Sequence, residues 1–590
     1  EGIYMKSSFQ KKCYSIKNRK LLCAFIINIF FFVLVLLFCD IKYETSDDFV
    51  IASILSGAYG NEVNQRMIYI NPLIGYILTP LYNIWPQISW LFIYQLSSIF
   101  ISSTTVCYVF FKRTSIAIAA MLSLMLILFF SNDAYILMQY TKTAMLSTIS
   151  GGILFIWALK NQNLISITAG MLMCINGILI RYSVIFIAAG FLIFIFVKEL
   201  IHLFKYKKQL LKVGIFAFIL SILAINVKVF DYYLYQTEDQ YKFYYDFNKA
   251  RTQIVDYTDY GYETYAKELE EIGVSENDYY MLKTWNFADS DYFTLKKMQQ
   301  VAEIIQSHYK SHKITFEKTL EDFQTREIWG YPICIICVIL LFLGVVLNKK
   351  EWKTMIYSFF IGIAYLIYFL AIRERCIYRI EYCVFLGVFI TGAYFWRHEE
   401  RNEKFYNECY YKIILILCLT NLILYVPDFT YKDVTSKNRK EYVESVFDAS
   451  WDFGAKKYRK VVGKDIPQNG LIEEMINNKQ NFYFLDFGTT IQTLYFDTSP
   501  WQALPKNYYE NFMYLSGITS NFPDTIEVLN KYGLDNPLKN LVNDNVYLVD
   551  NENLGIKLNY IREHYYSDAQ AYLYKEIDGY QIWKLYTNEF

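Results

Sequence analysis

Two adjacent acids, Asp47 and Asp48, are the first residues of this chain whose type and position suit chemistry. They follow the first long apolar run and open a segment whose apolar residues recur at helical spacing. A carboxylate in such a place can act as a general base on a hydroxyl group. Acids in the first turn of a helix are also favoured by the helix dipole, with Thr45 or Ser46 as the cap, so capping alone explains them as well.

Further charged residues lie at the ends of apolar runs, on the side of the membrane where we expect these acids. They are Asp133, Lys142, Arg181, Arg373, Arg375, Arg379 and Glu381. Arginine suits phosphate because its planar guanidinium makes paired, charge-assisted hydrogen bonds. Any single charge at a span end is commonly structural, since long side chains extend to the membrane surface. The convergence of arginines with acids predicts a site for an anionic headgroup beside a base.

Asn248, Arg251 and Asp256 are weaker candidates in the first long polar region, where they are placed to reach an acceptor molecule; a structural role explains them as well. His308 and His312 have the i, i+4 spacing of metal ligands on a helix. Lysines surround the two histidines and no acid motif lies nearby, which favours a solvated helix face.

The composition is that of a membrane protein. The chain has 590 residues, of which 54% are hydrophobic, and its apolar residues form repeated uncharged runs of about twenty, the length that one helix needs to cross a bilayer. Its 57 basic and 57 acidic residues balance, and we expect no nucleic-acid partner. None of the 11 cysteines falls in the two long polar regions, so disulfides do not hold these regions together.

The distribution of basic residues predicts the topology. A basic cluster precedes the first span, which places the N-terminus in the cytoplasm. If Met67–Trp85 crossed the bilayer, Lys112 and Lys198 would fall outside, against the positive-inside tendency. We therefore predict that Ser46–Gly57 and Met67–Asn83 are interfacial helices lying on the membrane.

Eleven spans remain, and the C-terminus falls outside. The predicted spans are Leu21–Cys39, Ile88–Phe111, Thr114–Ser131, Tyr140–Leu159, Leu164–Ile180, Tyr182–Val197, Leu211–Phe230, Ile328–Leu347, Met355–Ile372, Ile380–Trp396 and Ile413–Val426. The run from 164 to 197 is too long for one span and holds a single charge, so we predict a tight hairpin with Arg181 at its tip.

The chain thus divides into a cytoplasmic segment, two membrane modules and two extracytoplasmic regions. The predicted boundaries are 1–20 for the cytoplasmic segment, 21–230 for the first membrane module with a catalytic outer loop at 40–87, 231–327 for a helical insertion, 328–427 for the second membrane module and 428–590 for a soluble domain. Strand-like runs at 481–487, 545–550 and 580–585 alternate with helical segments, which predicts a small α/β or α+β domain at the C-terminus.

This organisation resembles the GT-C superfamily of integral membrane glycosyltransferases. The similarity lies in a first span followed by paired acids, an interfacial helix, a Pro-containing segment (INPLIGYILTPLY, 70–82), about a dozen spans and a C-terminal outer domain. It is similar to bacterial enzymes that decorate cell-wall polysaccharides, teichoic acids or lipid-linked glycans. The resemblance implies an enzyme of the bacterial plasma membrane that transfers a sugar from a polyprenyl-phosphate donor to a glycan, polymer or lipid acceptor.

The resemblance also implies roles for residues. Asp47 or Asp48 would be the general base, Asp133 a second acid, and Arg181, Arg373, Arg375, Arg379 and Lys142 would bind the donor phosphate. An outer-loop acid of this family can instead help to hold a divalent metal such as Mg²⁺ or Mn²⁺, although the first loop has no Asp-x-Asp pattern. Two alternatives stay open: a transporter or flippase of lipid-linked saccharides, and a non-catalytic cell-envelope assembly protein. Charges at span ends and the lack of two similar halves favour the enzyme.

Overall fold

A computed structural model describes residues 2–38, 41–201, 207–311, 315–347, 351–396, 470–515 and 517–588. The predicted last span, Ile413–Val426, the predicted boundary at 427/428 and His312 lie outside these residues.

The first part of the chain is almost entirely helical. Its elements are α1 (Gly2–Phe38), β1 (Lys42–Tyr43), α2 (Ser46–Ser56), α3 (Pro72–Ile84), α4 (Trp90–Arg113), α5 (Ile116–Met125), a π-helical turn (Leu126–Ser131), α6 (Asn132–Ile136), β2 (Leu137–Met138), α7 (Tyr140–Lys160), α8 (Leu164–Ile180), α9 (Val184–Leu200) and α10 (Lys207–Gln236). Helices α11 (Asp239–Val255), α12 (Tyr262–Glu271), α13 (Glu276–Lys283), α14 (Leu295–Ser311) and α15 (Phe316–Thr325) follow, and then α16 (Pro332–Leu347), α17 (Trp352–Ala371) and α18 (Tyr378–Tyr394).

The protein is a helical membrane protein. Within the described residues, six helical stretches are long and apolar enough to cross a bilayer: Arg19–Leu37, Trp90–Arg113, Ile116–Ile136, Tyr140–Lys160, Leu211–Gln236 and Trp352–Ala371. A seventh is added if the bent pair 316–330 and 332–345 forms one span. The predicted helices α8, α9, α16 and α18 are present but have only 16 or 17 residues. The total of eleven spans stays a prediction.

Helix α7 is the centre of the bundle. It packs against α4, α8, α9 and α18, and nearly all of its side chains are buried. Small residues make the closest approach possible: a Cβ atom on Gly151 would lie 2.6 Å from the Gly170 carbonyl oxygen of α8. Small residues at such contacts let helix backbones pack tightly where water supplies no driving force between helices.

The helix break at Arg181 is confirmed. Helix α8 ends at Ile180 and α9 begins at Val184, so Arg181 lies in the short connection as the single charge in the long apolar run predicts. The first loop lies against this connection, because the Asn71 amide donates to the Leu179 carbonyl at 2.9 Å.

The first loop contains the two predicted helices, with one changed boundary and different surroundings. Helix α2 has the predicted extent and ends at Gly57, whose φ of 83° is accessible to glycine. Helix α3 begins only at Pro72, because Asn71 caps it and accepts from the Leu73 amide at 3.0 Å. Most residues of α2 are buried, so this helix is not simply laid on a membrane surface as predicted.

Segments of the C-terminal region cover α2. The Tyr509 amide donates to the Ala58 carbonyl at 3.0 Å, and the Tyr59 and Tyr509 rings stack with centroids 4.5 Å apart. Because these contacts join residues about 450 positions apart, they cannot be predicted from the local sequence of the loop.

The C-terminal region is a mixed α/β fold, as predicted. It contains α19 (Gly470–Asn477), β3 (Phe482–Leu485), α20 (Phe487–Asp497), β4 (Phe512–Tyr514), α21 (Pro523–Lys531), β5 (Val546–Val549), α22 (Leu554–His564), β6 (Gln570–Ile577) and β7 (Tyr580–Tyr586). The sheet order is β4-β3-β5-β7-β6; the first three strands are parallel, and β7 joins β5 and β6 antiparallel. Strands β3, β5 and β7 fall in the predicted runs, whereas β4 and β6 were not predicted.

Candidate functional site

A two-residue parallel strand pair brings distant acids together. Strand β1 pairs with β2, and the Glu44 amide continues the ladder by donating to the Met138 carbonyl at 2.8 Å. This pairing sets the first loop, which carries Glu44, beside the segment that follows the π-helical turn and carries Asp133. It also places both acids at the start of α7.

Lys142 lies between those two acids. Its ammonium group forms an ion pair with Glu44 and lies 3.0 Å from Asp133 Oδ2, and all three side chains are completely buried. The Tyr378 hydroxyl donates to Asp133 Oδ2 at 3.1 Å, and the Lys142 ammonium also donates to the Leu137 carbonyl at 3.2 Å. Lys142 and Asp133, predicted as a phosphate ligand and a second acid, are therefore held in an ion-pair triad with Glu44, which was not predicted.

Asp48 ties α2 to the N-terminus of α7. Its Oδ1 atom accepts from the Tyr140 amide at 3.0 Å, and Thr45 donates to its Oδ2 atom at 3.2 Å. The first amides of a helix lack partners within the helix and carry a partial positive charge, so a carboxylate from another helix stabilises them. Burial, reinforced by Asp47, raises the pKa of the Asp48 carboxyl well above its ordinary value, while these hydrogen bonds oppose the shift. Asp48 thus has a capping role, between helices rather than within its own.

Asp47 has different surroundings. Its carboxylate is half-buried, and no hydrogen bond or ion pair joins it to any other residue in the part of the chain that the structure describes. It interacts electrostatically with Arg251, Arg379 and Tyr140. Of the two adjacent acids, Asp47 alone therefore faces the arginines with its carboxylate uncommitted.

Arg181 lies on one wall of this site. Its Nη1 donates to the Tyr140 hydroxyl at 2.7 Å, and its guanidinium carbon lies 4.9 Å from the Tyr140 ring centroid and 5.4 Å from that of Tyr69. The two tyrosine rings stack at 6.1 Å with an angle of 6° between them. Cation–π contacts of this kind fix the direction of a guanidinium group.

Arg251 is the second cation of the site and is buried. Its Nε donates to Asn248 at 2.8 Å, and its Nη2 donates to the hydroxyls of Tyr69 and Thr252 at 3.2 and 3.1 Å. Its Nη1 is buried without a hydrogen-bond partner among the described residues. An unsatisfied buried donor is costly, which is typical of a position that a ligand completes. Arg251, predicted as an acceptor contact, also interacts electrostatically with Asp47, so it belongs to the surroundings of that carboxylate.

The three arginines near the start of α18 have different partners. Arg379 interacts electrostatically with Asp47 and Tyr140. Arg375 lies 3.2 Å from the Asp256 carboxylate and also donates to its carbonyl at 2.7 Å, so these two predicted residues pair with each other. Arg373 is exposed, with its guanidinium 5.6 Å from the centroid of Tyr257. The site therefore gathers Arg379 but not Arg373.

Aromatic residues of the insertion and of the C-terminal domain also lie near the site. Trp285 of the insertion contacts both Arg251 and Phe487. The Arg251 guanidinium lies 4.8 Å from the centroid of the Trp285 ring, and the Phe487 ring stacks on Trp285 with the centroids 5.1 Å apart. Tyr514, at the carboxyl end of β4, interacts electrostatically with Asp47, and its hydroxyl is buried without a hydrogen-bond partner among the described residues. No sequence motif marked these aromatic residues, since tyrosine and phenylalanine are abundant along the whole chain.

Three of the four acids near the site already have partners and are not available to a divalent metal. Glu44 and Asp133 are directed at the Lys142 ammonium, and Asp48 uses both of its oxygens in hydrogen bonds. Within the described ranges, the one group of three or more ligand side chains close enough to hold a metal is Asp278, Glu563 and His564, elsewhere in the molecule. We derive no step through Mg²⁺ or Mn²⁺ at the Asp47 site.

That remote group is engaged internally. Asp278 accepts from His564 at 2.7 Å, from the Ser275 amide at 2.8 Å and from Tyr292. His308, predicted as part of a solvated face, pairs with Glu268 at 3.1 Å.

Comparison of the chain with protein-family models, with curated proteins and with solved structures returns no match.

Proposed function

We propose that this protein is a membrane glycosyltransferase, which moves a sugar from a polyprenyl-phosphate donor to a cell-envelope glycan, polymer or lipid acceptor on the outer face of a bacterial plasma membrane. The observation that carries the proposal is the Asp47 carboxylate, which is uncommitted among the described residues and faces Arg251 and Arg379. A base beside cations is what attack on a phosphate-linked sugar requires.

In the proposed step, Asp47 removes the proton from an acceptor hydroxyl while that oxygen attacks the anomeric carbon of the donor sugar. The bond from the anomeric carbon to the phosphate oxygen breaks on the opposite face, which inverts the configuration. The phosphate changes from a diester with one negative charge to a monoester with two. Asp47 retains the proton, so atoms and charges balance.

Arg181, Arg251 and Arg379 are the proposed ligands of that phosphate. Charge-assisted hydrogen bonds from arginine suit the additional negative charge that develops on the leaving group. Lys142 is removed from the predicted phosphate ligands because Glu44 and Asp133 already bind it. Arg375 and Arg373 are removed as well, because Arg375 is paired with Asp256 and Arg373 is exposed.

The test is transfer of labelled sugar from undecaprenyl-phosphate donors by the full chain in nanodiscs. Asp47→Asn is expected to lower transfer about 10²- to 10⁴-fold, the usual contribution of a general base. Thermal stability should stay unchanged, because the Asp47 carboxylate makes no direct contact that the substitution would break. Glu62→Gln is the matched control in the same loop, since the Glu62 side chain is 91% exposed.

Full transfer by Asp47→Asn would contradict the base assignment. If the wild-type chain transfers no sugar but moves a labelled lipid-linked saccharide across the bilayer of sealed vesicles, the transporter alternative replaces the enzyme.

A further inference from the structure

A groove of about 260 Å³ lies beside the Asp47 site and has no role in the proposed step. Five tyrosines line it, among them Tyr69, Tyr244 and Tyr245, together with polar side chains of α11. Its volume is just below the lower end of typical ligand pockets, about 300 Å³, which suits one or two sugar rings rather than a large ligand.

The groove and the Asp47 site share one wall. Three residues that line the groove, Tyr69, Asn248 and Thr252, all accept hydrogen bonds from the buried Arg251 guanidinium. The face of Tyr69 also stacks on Tyr140, which Arg181 contacts. A molecule in the groove would therefore be separated from the proposed phosphate ligands by no more than one side chain.

The groove lies where the apolar stretch of α10 ends. Its lining comes from the segment at 68–69, from Tyr235 at the end of α10, from α11 and from Tyr257 just after α11. The apolar stretch of α10 ends at Gln236. A polyprenyl chain requires apolar surroundings, so this groove suits a water-soluble group better than the lipid of the donor.

The lining has the chemistry of a sugar site. The Lys249 ammonium, the side-chain amide of Gln253 and the Tyr245 hydroxyl make no hydrogen bond or ion pair with any residue that the structure describes. Tyrosine rings offer flat apolar faces to the C–H groups of a sugar ring, while their hydroxyls and the neighbouring amides serve its hydroxyl groups. No acidic side chain lines the groove, and Lys249 is compatible with a saccharide that carries a carboxylate.

We propose that this groove binds the acceptor saccharide and presents its hydroxyl to Asp47. The inference rests on the proposed function, because it assigns the second substrate of the same site. The donor phosphate would lie on one side of Arg251 and Tyr69, and the acceptor on the other.

The first test is binding without turnover. Saturation-transfer NMR of the full chain in nanodiscs is performed with maltotriose, chitotriose and trigalacturonic acid as neutral, N-acetylated and acidic probes. At least one trisaccharide is expected to bind, with the affinity reduced about tenfold or more in Tyr245→Ala, which is the loss of about 1.4 kcal/mol. Tyr280→Ala is the matched control, because Tyr280 is 44% exposed and lies outside the groove.

Lys249→Ala provides a second variant at an exposed position, where misfolding is not expected. This variant should weaken the binding of the acidic trisaccharide more than that of the neutral one. Absence of binding by all three probes, or equal binding by wild type, Tyr245→Ala and Lys249→Ala, would overturn the proposal.

The second test separates the groove from the proposed function. In the transfer assay, Tyr245→Ala is expected to raise the acceptor KM about tenfold while the donor KM stays unchanged. Transfer that depends on Asp47 but has the same acceptor KM in Tyr245→Ala would refute the groove and leave the enzyme. Saccharide binding that depends on Tyr245, in a chain that transfers no sugar, would keep the groove as a saccharide site and refute the enzyme.

Discussion

The two ends of α7 carry charge clusters that are built in opposite ways. At its C-terminal end, buried Glu199 of α9 is held by Arg113 of α4 at 2.7 Å and by Lys160 at 2.5 Å. At its N-terminal end, about 30 Å away for a helix of 21 residues, Asp47 faces arginines without a direct pair.

The C-terminal cluster is a junction of helices. Arg113 also donates to the Tyr394 carbonyl of α18 at 2.6 Å, and Lys198 pairs with Glu351 before α17. Charges in direct contact across helices satisfy one another and leave nothing for a ligand. Charges that face each other without contact leave room for one, so pairing rather than charge density distinguishes a structural cluster from a candidate site.

The largest expected effect tests this distinction next to the site itself. Although Lys142 lies close enough to Asp48 to interact with it electrostatically, its ion pairs with Glu44 and Asp133 give it a structural role. Lys142→Met would leave two buried carboxylates without their cation and is expected to destabilise the protein by about 3–5 kcal/mol. Fluorescence-detected thermal unfolding in detergent measures the change.

Neutralising the whole group supplies the control. Lys142→Met combined with Glu44→Gln and Asp133→Asn should recover part of the lost stability, because no buried charge then lacks a partner. A single Lys142→Met variant as stable as the wild type would show that the triad does not hold the fold.

A smaller effect is expected from exchanging one arginine at each end of α7. Arg113→Gln removes a partner of buried Glu199 and should lower thermal stability by about 2–3 kcal/mol with transfer retained. Arg181→Gln should instead lower transfer about 10- to 100-fold with little change in stability, because a charged hydrogen bond to the leaving phosphate contributes about 1.5–3 kcal/mol. Thermal unfolding and sugar transfer are measured for both variants. Equal losses of stability in the two variants would contradict the difference proposed between the two ends of α7.

The smallest expected effect concerns the C-terminal domain, where buried Lys557 pairs with Asp550 at 2.5 Å and a second acid, Asp486, lies nearby. Burial and the Asp550 charge raise the pKa of Asp486 to about 6, against the opposing effect of Lys557. Between about pH 4 and pH 6 the folded state holds a proton that the unfolded state has released, so the free energy of unfolding falls as the pH rises.

Asp486→Asn should remove that fall, which we expect to be on the order of 1–3 kcal/mol. The main hydrogen bond of the helix cap survives in this variant, because the asparagine side-chain oxygen can still accept from the Thr489 amide. Thermal unfolding of the full chain from pH 4 to pH 7 measures this change in the free energy of unfolding. Asp544→Asn is the control, because Asp544 is exposed. Identical pH profiles for wild type and Asp486→Asn would contradict the prediction.

Local pattern was sufficient for much of the architecture. Apolar runs of span length predicted the helical membrane protein, and a lone charge in a long apolar run predicted the turn at Arg181. Alternation of strand-like and helical runs predicted the α/β region, although β4 has three residues and β6 is mostly exposed, so neither has a strong signal.

The candidate site could be predicted only as a set of residues near one membrane depth. Acids and arginines at span ends were recognisable, but Glu44 was not, because its importance depends on the pairing of β1 with β2 across about ninety residues. The same long-range contact gives Lys142 its partners. Tyr69 and Tyr140 were missed because aromatic residues are common throughout this sequence.

Local sequence was enough to predict that two acids open a helix after the first span and that arginines lie at the ends of several others. The different surroundings of the two acids arise from the packing of distant segments. Adjacent residues on a helix point about 100° apart, so Asp48 bonds the N-terminus of α7 while Asp47 makes no such bond and interacts electrostatically with Arg251 and Arg379. The direction of each carboxylate depends on helices brought together from separate parts of the chain, and no local pattern contains that information.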